Sequence, residues 1–141
     1  MPVRLTPAVL LLTLGCGSTK IVPVSGRVTL DGRPLVGAHV VFQPIATGGE
    51  VNPGCGSYGI TDADGRFTLR IVDSEQPGAY LGEHRVEITV RDPTGDDDTD
   101  RRGRLPSRVV IPPRYNRASE LTCKVPPGGT NAADFELATQ P

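Results

Sequence analysis

Tryptophan is absent, and phenylalanine and tyrosine occur three times each in 141 residues. An interior built from this chain must therefore be packed mainly by Val, Leu and Ile. Histidine is limited to His39 and His84, which leaves little for metal or acid–base chemistry that needs several convergent groups. No Gly-x-Ser-x-Gly nucleophile motif occurs, and its nearest approach, Gly54-Cys55-Gly56-Ser57, has no partner base at a suitable spacing. The Gly-rich stretch 46–56 has no lysine to meet a phosphate and opens no helix. An excess of one charge is also missing: Lys plus Arg number 15 and Asp plus Glu 16. Such a balance gives no electrostatic case for nucleic acid. No convincing amphipathic helix or internal repeat is present, and no apolar run reaches the roughly 20 residues a membrane-spanning helix requires.

Glycine and proline, by contrast, are abundant, at 17 and 14 residues. They punctuate short stretches of strict alternation, the period of half-buried strands. Val22, Val24, Val28 and Leu30 share one phase, and Asp31-Gly32-Arg33-Pro34 turns the chain. Ala38, Val40 and Phe42 form the next apolar face, with His39 on the opposite phase, and Pro44 ends the run. After the 46–56 loop, Ser57–Thr61 and Arg66–Ile71 flank Asp62-Ala63-Asp64-Gly65 and predict a tight hairpin. His84, Val86, Ile88 and Val90 supply a fifth face, followed by an acidic loop from Asp92 to Arg104. Leu121, Cys123 and Val125, then Phe135 and Leu137, complete seven strands. Seven alternating strands joined by turns predict an all-β, single-domain antiparallel β-sandwich over residues 22–138.

The first segment, residues 1–15, has the layout of a secretory signal: a short positive start ending at Arg4, an apolar run from Ala8 to Leu14, and small Gly15 at the cut site. Leu12-Thr13-Leu14-Gly15-Cys16 resembles the lipobox of bacterial lipoproteins, although Thr13 and Leu14 depart from its usual residues. The resemblance implies that Cys16 is lipidated and becomes the new N-terminus, with residues 16–21 as a short tether on the extracytoplasmic side of a bacterial membrane. Several acyl chains make a stable anchor where one gives only marginal binding. Ordinary secretion, with Cys16 left unmodified or discarded, is the plainer alternative. Loss of Arg4 with the signal leaves 14 basic and 16 acidic residues.

Two further stretches, Val24-Ser25-Gly26-Arg27-Val28-Thr29-Leu30-Asp31-Gly32-Arg33-Pro34-Leu35 and Thr61-Asp62-Ala63-Asp64-Gly65-Arg66-Phe67, resemble the carboxypeptidase regulatory-like, transthyretin- or prealbumin-type domain. Ile111-Pro112-Pro113-Arg114-Tyr115 and the strand ending Phe135-Glu136-Leu137 resemble the corresponding parts of small bacterial lipoproteins that carry one such domain. The resemblance implies a Greek-key sandwich and a non-catalytic structural or interaction role in the cell envelope, without a cofactor. The chain lacks the C-terminal Tyr-Arg-Gly-Ser of transthyretin-like hydrolases and the His-x-His pair of sandwich dioxygenases.

What chemistry remains is sparse. Cys55 and Cys123 suit a disulfide outside the cytoplasm if their Cα atoms come within about 7 Å; two unpaired thiols, with Cys123 turned inward, are the alternative. Asp62 and Asp64 could begin a calcium loop, but the chain runs on at once into an alternating strand, so a hairpin turn accounts for them better. Two other function classes stay open. A ligand-binding module for envelope glycans would use the loops 46–56 and 92–104, and a hydrolase would need a pocket joining His39 or His84 to a carboxylate.

Overall fold

The computed structural model describes residues 20–46, 54–90 and 110–140. It is all-β and β-sandwich-like, with one short 3-10 turn at Pro113–Tyr115. The strands are β1 (Ile21–Val22), β2 (Ser25–Leu30), β3 (Arg33–Pro34), β4 (Ala38–Pro44), β5 (Ser57–Ile60), β6 (Arg66–Thr68), β7 (Arg70–Ile71), β8 (Ala79–Tyr80), β9 (Gly82–Val90), β10 (Thr122–Val125) and β11 (Phe135–Leu137). One sheet runs in the order β10-β9-β4-β5-β7, and the facing sheet holds β11-β2-β3 with β6 also paired to β2. β1 and β8 form a small separate ribbon.

The alternation read from the sequence sets the faces. Val40, Phe42, Val86 and Ile88 of one sheet and Val24, Val28, Phe67 and Leu137 of the other are buried in a single core. The chain's few aromatics are concentrated there: Phe42 lies 6.5 Å from Phe67 and 6.1 Å from Phe135, and Phe67 lies 6.4 Å from Phe135, between ring centroids. Edge-to-face and offset contacts of this kind add to the area they bury. All three phenylalanines thus meet where the two sheets face each other.

Two expectations are corrected. The sandwich is not wholly antiparallel, because β11 lies parallel to β2, with Phe135 opposite Val28 and Leu137 opposite Leu30. Period-2 alternation carries no strand direction, so this pairing was invisible to it. Nor do residues 57–61 and 66–71 form one tight hairpin. β7 pairs with β5, Tyr58 opposite Arg70, but β6 crosses to the other sheet and pairs with β2, Phe67 opposite Gly26. Gly65 explains the departure: its φ is +75°, and a Cβ there would lie 2.5 Å from the Val28 carbonyl oxygen, so the turn is pressed against β2. The Gly65 carbonyl accepts the Val28 N–H at 2.8 Å and starts the β2–β6 ladder.

The sandwich has two distinct ends. At one, the Lys20 carbonyl accepts from the Leu81 N–H, Ile21 and Val22 pair with Tyr80 and Ala79, and the Glu83 carbonyl accepts from Ile45 N–H. At the other lie the Asp31–Gly32 turn, the Asp62–Gly65 turn and Val90, which pairs with Ala38. The tail after β11 belongs to this second end, where the Asp31 carboxylate accepts from Thr139 N–H at 3.0 Å and Thr139 Oγ1 at 2.8 Å.

Candidate functional site

The residues singled out from the sequence are not brought together. Cys16 lies outside the described residues, as do most of the loops 46–56 and 92–104. Cys55 and Cys123 are both free thiols. Cys55 Sγ donates to Asp73 Oδ2 at 2.8 Å, and this hydrogen bond, with the nearby carboxylate charge, raises the thiol above its ordinary value. Cys123 packs against the core on β10, opposite His84 on β9, and burial raises its thiol as well. A raised thiol is a poor nucleophile at neutral pH.

His84 is fully buried and packs against Phe42, with 5.6 Å between ring centroids and the ring planes tilted by 48°. Its Nε2 is 2.8 Å from the Tyr80 carbonyl oxygen, so Nε2 carries the proton, and Nδ1 has no partner. Burial pushes the imidazole below its ordinary value. His39 sits on the opposite phase of the same sheet and near its other end, paired with Thr89. The sheet separates the two rings, and among the described residues no group of three or more His, Cys, Asp or Glu side chains is placed to hold a metal. The Asp62 carboxylate instead closes its own turn, Oδ1 accepting from the Asp64 N–H at 2.9 Å and the Arg66 N–H at 3.0 Å.

The feature the sequence did not disclose is a groove of about 590 Å³ on the outer surface where β6 parts from β5. Tyr58 and Ile60 form one wall, Arg66, Thr68 and Arg70 the other, and Gly59 and Phe67 lie between. Gly59 is required there, since a Cβ would lie 2.7 Å from the Thr68 carbonyl oxygen. Thr61 N–H donates to the Ala38 carbonyl, so β5 alternates toward β4 at Gly59 and away from it at Tyr58 and Ile60. On the far wall Leu69 N–H donates to the Val24 carbonyl and Val28 N–H donates to the Gly65 carbonyl, which directs the Thr68 backbone away from β2. β5 and β6 are not ladder partners, β5 pairing with β7 and β6 with β2.

The groove carries both signs of charge, since Asp62 lines it together with Arg66 and Arg70 and the Glu75 carboxylate stands at the Tyr58 hydroxyl. Tyr58 Oη donates to Glu75, 2.9 Å from each carboxylate oxygen, which fixes the ring and raises the phenol, with Arg70 opposing the rise. Neither Arg66 nor Arg70 makes an ion pair, the single one among the described residues being Arg85–Glu87 at 3.1 Å. That β5 and β6 take different partners has no local sequence signal. No protein-family model, curated protein or solved structure matches this chain.

Proposed function

We propose that the protein is a non-catalytic, lipid-anchored envelope domain, a transthyretin-like sandwich held to a bacterial membrane through Cys16 and acting as a structural or interaction module. The observation that supports it is the placement of Lys20 at one end of the sandwich, away from the Asp31, Asp62 and Val90 end. Cys16 precedes Lys20 by four residue steps, at most about 14 Å of extended chain. On this reading the Ile45, Leu81 and Val72 end faces the lipid, and the Asp31–Gly32 and Asp62–Gly65 turns face away. Ile45, Val72 and Leu81 are exposed apolar side chains, at 37%, 50% and 37%, the kind of surface that tolerates contact with a bilayer interface. The same placement disfavours glycan binding at loop 46–56, which leaves the sandwich beside Ile45, and leaves the segment after Val90 on the outward end.

Incorporation of labelled fatty acid into the full chain expressed in a bacterium tests the anchor. Label is expected in the wild type and lost in Cys16→Ala, which should fractionate away from membranes. Unlabelled wild type, or label persisting in the variant, overturns the reading.

A further inference from the structure

We infer that the outer edge of β10 pairs, antiparallel, with the same edge of a second copy of this chain, an interaction that goes beyond the anchored module and does not depend on lipidation of Cys16. Among the described residues β10 ends the five-stranded sheet and pairs with β9 alone. The Leu121 carbonyl accepts from Val86 N–H, and Cys123 stands opposite His84. In an antiparallel ladder of that register the backbone groups of Leu121, Cys123 and Val125 turn toward β9, and those of Glu120, Thr122 and Lys124 turn away. The outward groups meet no backbone partner among the described residues. An edge in that state is a template for another strand.

The other edges are shorter or closed. β3 has 2 residues and ends in Pro34, which has no N–H. Beyond β7 the chain folds back, Ile71 N–H donating to the Gln76 carbonyl and Gly78 N–H to the Leu69 carbonyl. On β11 the Leu137 carbonyl accepts from Asp31 N–H, so Glu136 is the residue of that strand whose backbone turns outward.

The β10 edge is complementary to itself. A two-fold axis at Thr122 sets Thr122 against Thr122 of the second copy and Glu120 against its Lys124, so each outward N–H and C=O of these residues finds its counterpart. Glu120 and Lys124 are exposed, and neither belongs to an ion pair, Lys124 standing opposite Glu83 without one. Opposite charges directly across an antiparallel pair are favourable and like charges unfavourable. On the inner face Leu121 falls opposite Cys123 of the copy. Both pack against the core yet are only half-buried, and pairing would cover the rest. An axis at Cys123 instead sets Glu120 against Pro126, which has no N–H, and leaves Lys124 opposite Thr122. Charge and hydrogen bonding therefore both select the axis at Thr122. A strand from an unrelated protein could use the same backbone groups, but the mutual match of Glu120 and Lys124 belongs to a second copy.

The second copy runs in the reverse direction, which puts the two Lys20 ends at opposite ends of the pair. The contact thus joins chains on facing surfaces or free of a membrane, and not upright neighbours on one. The edge is short, so association should be weak, as in transient contacts of small area.

Sedimentation equilibrium of the full chain in detergent tests the pairing. The wild type should pass from monomer to dimer as its concentration rises. Thr122→Pro removes an N–H that the folded monomer does not use, at an edge position where proline is tolerated, and should abolish the dimer while melting with the wild type. Lys124→Glu and Glu120→Lys each turn both symmetry-related pairs into like charges and should weaken association about tenfold. A mixture of these two variants restores opposite charges in every pair and should associate as the wild type does. Circular dichroism and thermal melting confirm that each variant is folded. A wild type that stays monomeric at submillimolar concentration, a dimer indifferent to Thr122→Pro, or a mixture that associates no more tightly than its two components would overturn the assignment.

Discussion

His84 is neutral because it is buried. Its one hydrogen bond, to the Tyr80 carbonyl, uses the Nε2 proton, and a second proton on Nδ1 would have no acceptor. Since burial depresses the folded imidazole below its ordinary 6.5, the unfolded chain takes up the proton first, and stability present above that value declines as the pH falls through it. Thermal melting of the wild type should therefore drop as the pH falls below 6.5, and the part of the decline due to this group should vanish in His84→Leu. Thr61 is another buried polar group with a defined task. Its Oγ1 donates to the Leu35 carbonyl and accepts from the Ala38 N–H at 2.8 Å, fastening the β3–β4 connection to β5. Thr61→Val keeps the shape and strands both backbone groups, for an expected loss of about 1–3 kcal/mol in a urea titration. Alternation placed His84 on the same phase as Val86 and Ile88, which was right; that its ring would be a buried, half-satisfied packing group depended on Phe42 arriving from another strand.

The elements show where local pattern stops being sufficient. Asp31 and Gly32 have φ of 51° and 81°, the two positive values of the short turn that an Asp-Gly pair favours, and this turn was legible directly. Its second role was not. The Asp31 carboxylate also holds Thr139, more than one hundred residues away, while Tyr115 Oη accepts from Ala138 N–H at 3.1 Å and Arg114 donates to the Ala138 and Gln140 carbonyls. The Ile-Pro-Pro-Arg-Tyr stretch thus clamps the tail that follows β11. Arg114 lies 4.8 Å over the Tyr115 ring, and its hydrogen bond and charge, after that of the Ala138 amide, help hold the phenol below its ordinary value. Hydrogen bonds from Thr139 likewise lower Asp31 below 3.8. The clamp is complete above that value and opens as the pH falls through the lowered one. Asp31→Ala and Tyr115→Phe should accelerate amide exchange at Ala138 and Thr139 at neutral pH, and carboxypeptidase trimming should report the same release. The parallel β2–β11 pairing and the parting of β5 from β6 share one reason for being hidden: partner choice between strands of equal alternation is decided by sheet-level packing, here at Gly65 against Val28.

At the scale of the molecule the two ends and the lateral groove divide the surface into three regions with different neighbours on the proposed reading: lipid, solvent-facing turns, and a side wall open parallel to the membrane. Lys20 and the held residues Ala138–Gln140 lie at opposite ends. β2 leads from the first end, β11 leads into the second, and the two lie side by side and parallel. Tension drawn between a bilayer and anything gripping the tail would slide these strands lengthwise against each other. Their ladder bonds would then resist together, in shear, instead of peeling one at a time. On the proposed reading, a pairing that first registered as an irregularity in an antiparallel pattern would let the sandwich resist tension along its strands, whereas a pull sideways on β10 or β3 at the sheet edges would meet no such resistance.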